Sequence, residues 1–135
     1  MALVAFLKQN KKTTDTVKFA ASKAFVDENG KPVEWEIKPL KSREADKIRS
    51  KCNTYGKGGK VKSDTAKFNR AVAATCTVFP NLNDAELQDS YGVMGAEELI
   101  TEMLDKDGEF QAYVKKCLEV SGYENNAELV EEVKN

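Results

Sequence analysis

The sequence predicts an α+β fold, predominantly helical: one domain, residues 1–135, of about five to six helices with one N-terminal β-hairpin. Three observations predict it. Beyond residue 42, apolar residues recur at helical spacing. Before that, two stretches (about 16–26 and 32–40) alternate apolar and polar residues on either side of Asn29-Gly30. The composition, 41% hydrophobic and 32% charged over 135 residues, is that of a chain long enough to bury a core without disulfides or metals.

Residues 2–10 are a short apolar segment with Leu3, Phe6 and Leu7 at helical spacing. So short a helix is marginal in water by itself. It docks on the body, docks on a neighbour, or stays loose, and residues 1–15 are expected to be loosely attached. Lys11 to Asp15 is a polar linker. The first strand, 16–26, sets Val17, Phe19 and Ala21 on one face and Lys18 on the other. The alternation slips at Ala21-Ser22, where a bulge would return Phe25 to the inner face. Asp27-Glu28-Asn29-Gly30 is a turn, since Asn-Gly supplies positive φ. Residues 32–40 alternate again, Val33, Trp35 and Ile37 against Glu34, Glu36 and Lys38. One hairpin is not stable alone, so its Trp35 face covers helices or pairs with more strand.

Ser42 is the expected N-cap of a helix that turns Ala45, Ile48 and Cys52 inward. Residues 53–63, with three glycines and no apolar period, are expected to be a flexible Gly/Lys loop. Asp64 caps a helix over 65–79, whose broad stripe (Phe68, Ala71, Val72, Thr75, Cys76, Phe79) marks it as the most buried one. Pro80 stops it. Asn83 and Glu86 fit a capping box, and Gly92 ends the helix that carries Leu87 and Tyr91. Gly95 opens another, 96–104, with Leu99, Ile100, Met103 and Leu104 inward. Asp105 to Gly108 is a turn. The helix at 109–121 presents Phe110, Tyr113, Val114, Cys117 and Leu118. An acidic tail, 123–135, holds a last short helix near 126–133.

Several kinds of chemistry are argued against by what the chain lacks. It has no histidine, which removes the commonest general base and transition-metal ligand. No Ser or Cys therefore has an identifiable base, and catalysis is not expected. The three cysteines, Cys52, Cys76 and Cys117, are odd in number and widely spaced, as small buried hydrophobes rather than a disulfide framework. Asp105-Lys106-Asp107-Gly108 lacks the spacing of a calcium loop. Gly56, Gly58 and Gly59 with their lysines lack the spacing and preceding strand of a P-loop. The helices joined at Gly92 to Gly95 are too acidic for a DNA-reading pair: from Asp84 to Glu109 the only base is Lys106. A net charge of −1 draws the protein to neither nucleic acid nor membrane. The longest apolar run, Ala2 to Leu7, is far shorter than the ~20 residues that span a bilayer, and a cytoplasmic location is expected. Residue chemistry alone leads no further than a small, soluble, mostly helical domain, with no cofactor or metal expected. Tyr91, Met94, Met103 and Phe110 would suit an adaptable groove for a partner helix or, as the more ordinary reading, pack in the core.

Three pieces of sequence lead further. Ala5-Phe6-Leu7-Lys8-Gln9-Asn10, the hairpin Phe25 to Ile37, and the run Asp84 to Leu99 occur in an order and spacing that resemble the XkdN-like tail assembly chaperones of phages and defective prophages with contractile tails. The resemblance runs over about residues 3–122. It implies a non-enzymatic protein that binds the tape measure protein, and in passing the tail tube protein, and keeps the tape measure soluble until the tube polymerises around it. A homo-oligomer is compatible with this. The expected partner contacts, selected by side-chain type and position, are Leu3, Phe6, Leu7, Tyr91, Met94 and Met103. The alternative is a structural tail or adaptor component of a phage-like particle.

Overall fold

The computed structural model describes residues 2–13 and 15–123. Helix α1 (Ala2–Phe6) is followed by a 3-10 turn, Lys8–Asn10. Strand β1 (Val17–Phe19) then pairs antiparallel with β2 (Trp35–Ile37), Val17 opposite Ile37 and Phe19 opposite Trp35. The hairpin forms, but its ladder is much shorter than the expected 16–26 and 32–40. After β1 the chain turns inward, and Ser22 Oγ donates to Glu109 Oε1 at 2.8 Å while accepting the Ala24 N–H at 3.0 Å. These side-chain bonds, one local and one to a distant carboxylate, take over from the ladder. The two arms meet again only at a single bridge, Val26 to Pro32. Around the turn, Asp27 Oδ1 accepts the Asn29 and Lys31 N–H groups at 2.8 and 3.0 Å, and Gly30 has φ 79°. Phe25 does return to the inner face and packs on Trp35, ring centroids 6.0 Å apart.

Helix α2 (Ser42–Cys52) buries Ala45, Ile48 and Cys52 as expected. Its cap is one residue earlier than expected. Ser42 is already helical, and the Lys41 N–H donates back to Glu44 Oε1 at 3.0 Å. Residues 53–63 are not an irregular loop. They form a second hairpin, β3 (Asn53–Tyr55) against β4 (Val61–Ser63), with Tyr55 opposite Val61. The glycines that suggested a loop make its reversal: Gly58 and Gly59 both sit near φ 76–77°, where Cβ is disfavoured.

Asp64 caps α3 (Thr65–Cys76) through Oδ1, which accepts the Lys67 N–H at 3.0 Å. The helix was expected to reach residue 79, but it stops at Cys76. Thr77–Phe79 is β5, antiparallel to β2, so the sheet order is β1-β2-β5. Thr77 and Val78 are β-branched, and Phe79 precedes Pro80, which disfavours helical backbone at that position. Helix α4 (Ala85–Tyr91) is capped by Asp84, not by Asn83; Asp84 Oδ1 accepts the Leu87 N–H at 2.9 Å. Gly92, φ 66°, closes it in the left-handed conformation. Helix α5 (Ala96–Met103) and helix α6 (Asp107–Val120) follow. The expected turn at Asp105–Gly108 is shorter, because Asp107 and Gly108 already belong to the first turn of α6. The expected helix near 126–133 lies outside the described residues.

Among the described residues there are thus six helices and five short strands, an α+β arrangement in which α3 packs against α2, α5 and α6. Trp35 and Ile37 of β2, fully covered, join Val72, Leu99, Ile100, Leu104 and Tyr113 in one core. Tyr113 meets Trp35 edge-on at 5.2 Å and Phe19 at 6.3 Å. All three cysteines are buried and free.

Candidate functional site

Two surfaces carry the exposed apolar side chains that sequence reasoning singled out. The first is α1. Its end is closed by Asn10, whose Nδ2 donates to the Val4 carbonyl at 2.8 Å. Among the described residues, none is folded over this apolar helix and its C-terminal neighbour: Leu3 is 75% exposed, Phe6 80% and Leu7, just past the helix, 45%. Large side chains at that exposure, contiguous in sequence, mark a surface for covering rather than scattered surface hydrophobes.

The second surface is a groove of about 840 Å³ between the α3–β5 junction and the start of α5. Ala74, Val78, Met94 and Ala96 supply its apolar part. The bases Lys38, Lys67 and Arg70 and the acids Glu97 and Glu98 also line it. Met94 is 89% exposed. It is held out by the corner between α4 and α5, where the Val93 N–H donates to the Gln88 carbonyl at 3.1 Å and the Gly95 N–H to Gln88 Oε1 at 3.1 Å. Gln88 Nε2 is itself anchored on the Leu82 carbonyl at 2.7 Å. Some of the charges are engaged. Lys38 pairs with Glu44 at 3.1 Å, and Glu97 with Lys51 at 3.6 Å.

The other expected contacts fare differently. Tyr91, at the end of α4, is half-buried and packs against the core. Met103 is not a surface residue. It lies on the inner face of α5 at 7% exposure, because residues 99, 100 and 103 share one side of that helix. Sequence reasoning missed Val78 and Phe79, 44% and 47% exposed on the free edge of the sheet. It assigned them to the buried helix. The β-branched pair ahead of an X-Pro step was the available signal.

Two titratable groups of the interior, Tyr113 and Cys117, are held neutral, while the hydrogen bond to Cys117 lowers the pKa of Cys76. Burial pushes the Tyr113 hydroxyl above its ordinary value, with Cys117 adding to the effect. The hydrogen bond to Cys76, together with burial, pushes the Cys117 thiol up as well. A buried thiol kept protonated is a packing group and a poor nucleophile. Among the described residues no three His, Cys, Asp or Glu side chains cluster as a metal site, and no helix is long and apolar enough to cross a membrane. The arrangement offers surfaces for a protein partner.

Comparison with known proteins bears on which partner. The family profile of the phage XkdN-like tail assembly chaperone protein matches residues 3–134. The chain is 27% identical over 126 residues to the phage-like element PBSX protein XkdN of Bacillus subtilis (strain 168), covering 90% of this chain and 85% of that protein. It is 28% identical over 122 residues to YqbN of the same organism, covering 87% and 82%. The crystal structure of YqbN matches with a TM-score of 0.77 at 23% identity, over 89% of this chain and 95% of that one. That last likeness is one of fold.

Proposed function

The chain belongs to the XkdN-like phage tail assembly chaperones, and from that membership we propose that it binds the tape measure protein and keeps it soluble until tail tube subunits polymerise around it. A tape measure is a long helical chain with apolar stripes that aggregate when bare. The observation that carries this reading is α1, an apolar helix exposed on the protein's own surface. Leu3, Phe6 and Leu7 lie against such a stripe as one helix lies against another. Tyr91 and Met94, at the α4–α5 corner, are secondary contacts.

The magnitudes suit a chaperone that must let go. Burying each of the three side chains, Leu3 and Phe6 on α1 and Leu7 just after it, contributes roughly 1.5–3 kcal/mol gross. Association costs about 4–15 kcal/mol in lost freedom, and this offsets most of the gain. One copy therefore holds loosely. Many copies along one tape measure hold through avidity, and tube subunits displace them one at a time. No bond is made or broken. Binding takes place in the host cytoplasm during tail assembly.

Capture of the tape measure on tagged protein from a co-expressing cell tests the contact. Replacing Leu3, Phe6 and Leu7 together by Ser is expected to lower the recovered tape measure several-fold without changing thermal stability. Equal recovery with the triple variant rejects α1 as the contact.

A further inference from the structure

We infer that the groove between β5 and α5 is the seat of a second copy of this chain, related to the first by a two-fold axis. The inference does not depend on the tape measure reading, since it concerns the protein alone.

The two edges of the three-stranded sheet are treated differently. At one edge, β1 carries Lys18, and the Phe19 ring is shielded by the Lys116 ammonium 5.8 Å from its centroid. Charges of this kind keep an edge from pairing with another chain. At the other edge, β5 reads Thr77-Val78-Phe79, with no charge, and exposes both Val78 and Phe79. Met94, almost wholly exposed, stands in the same groove as Val78. Apolar edge, apolar knob and open groove coincide at one place.

Charge identifies the occupant. A two-fold contact uses the same patch on both copies, so the patch must complement itself. Beside its apolar residues this groove carries two bases from α3, Lys67 and Arg70, and two acids from the first turn of α5, Glu97 and Glu98. A two-fold axis across the groove sets the α3 bases of each copy against the α5 acids of the other. A patch of one sign would repel its copy. A purely apolar patch would take many partners. Glu97 is already paired with Lys51 within the chain, and Lys67 Nζ donates to the Lys51 carbonyl at 3.2 Å, which leaves Glu98 and Arg70 as the pair expected to match across the axis. A partner helix that reaches Met94 does so by displacing the second copy.

Sedimentation of the full chain, from low to high micromolar concentration, tests this. The wild type is expected to move from monomer to dimer mass. Val78→Lys, which places a charge on the bare edge, is expected to stay monomeric. Glu98→Arg and Arg70→Glu are each expected to weaken the dimer at least tenfold, and the two together to restore it, because the swap preserves self-complementarity. These positions are exposed or half-exposed, and far-UV circular dichroism confirms that each variant folds. A wild type that stays monomeric throughout, leaving the groove to an extended segment of another protein, overturns the inference. So does a dimer that persists in Val78→Lys and in both single charge reversals.

Discussion

Tyr113 of α6 and Thr77 of β5 share a hydrogen bond of 2.6 Å between their hydroxyls, and the direction of that bond is settled by a third atom. Thr77 Oγ1 donates its one proton to the Ala73 carbonyl at 2.7 Å. Tyr113 is therefore the donor and Thr77 the acceptor. The last helix is thereby tied to the strand that ends α3, at the side chain around which Trp35 and Phe19 pack.

The direction of the bond predicts unequal costs. Tyr113→Phe removes a donor and leaves Thr77 still donating to Ala73, for a loss of about 1 kcal/mol. Thr77→Val leaves the fully buried Tyr113 hydroxyl without its acceptor, and the loss is expected nearer 2–3 kcal/mol. In the double variant the two losses should not add. Urea unfolding followed by the fluorescence of Trp35, the single tryptophan, measures all three.

Stability should decline in alkali. The folded state raises the pKa of both Tyr113 and Cys117. A raised acid binds its proton more tightly folded than unfolded, so its contribution is complete below the unfolded pKa and is lost above it. Unfolded thiols ionise near 8.5 and unfolded tyrosines near 10. Cys76, hydrogen-bonded to Cys117, is shifted downward and offsets the thiol contribution, so the unfolding free energy is expected to fall chiefly past about pH 10, where Tyr113 ionises in the unfolded chain. Urea midpoints across this range check it, and Tyr113→Phe should flatten the upper part of the slope.

The acid side tests Glu44. Burial by itself would raise its pKa, but the Lys41 N–H and the Lys38 ammonium outweigh that, and the net shift is downward. A depressed carboxylate contributes above its unfolded pKa, and the contribution is lost as pH falls through the folded value. Glu44→Gln is expected to melt a few degrees below the wild type at pH 7, and the gap is expected to be narrower at pH 3. Thermal melts at the two values decide this.

The helices were legible because burial follows a 3.6-residue period, and α5 and α6 show it plainly in Leu99, Ile100, Met103 and in Phe110, Tyr113, Val114, Cys117. The Asn29-Gly30 turn was legible from its backbone demand. What was hidden depended on distant partners. Thr77–Phe79 carries apolar residues that extend the α3 stripe, and only β2, some forty residues earlier, makes them a strand. The hairpin at 53–63 was hidden by its glycines, which were read as loop chemistry when they serve a tight reversal. Of the expected contacts, Leu3, Phe6, Leu7 and Met94 are on the surface, while Met103 shares the inward register of its helix. Side-chain type alone could not tell an exposed methionine from a buried one.

The shielding role is tested most directly by expressing the tape measure protein with and without this chain and measuring the fraction that stays in the supernatant after centrifugation. The tape measure is expected to be soluble with the wild-type chain and largely aggregated without it or with the α1 triple variant. Equal solubility in the presence and absence of the chain contradicts the proposed function.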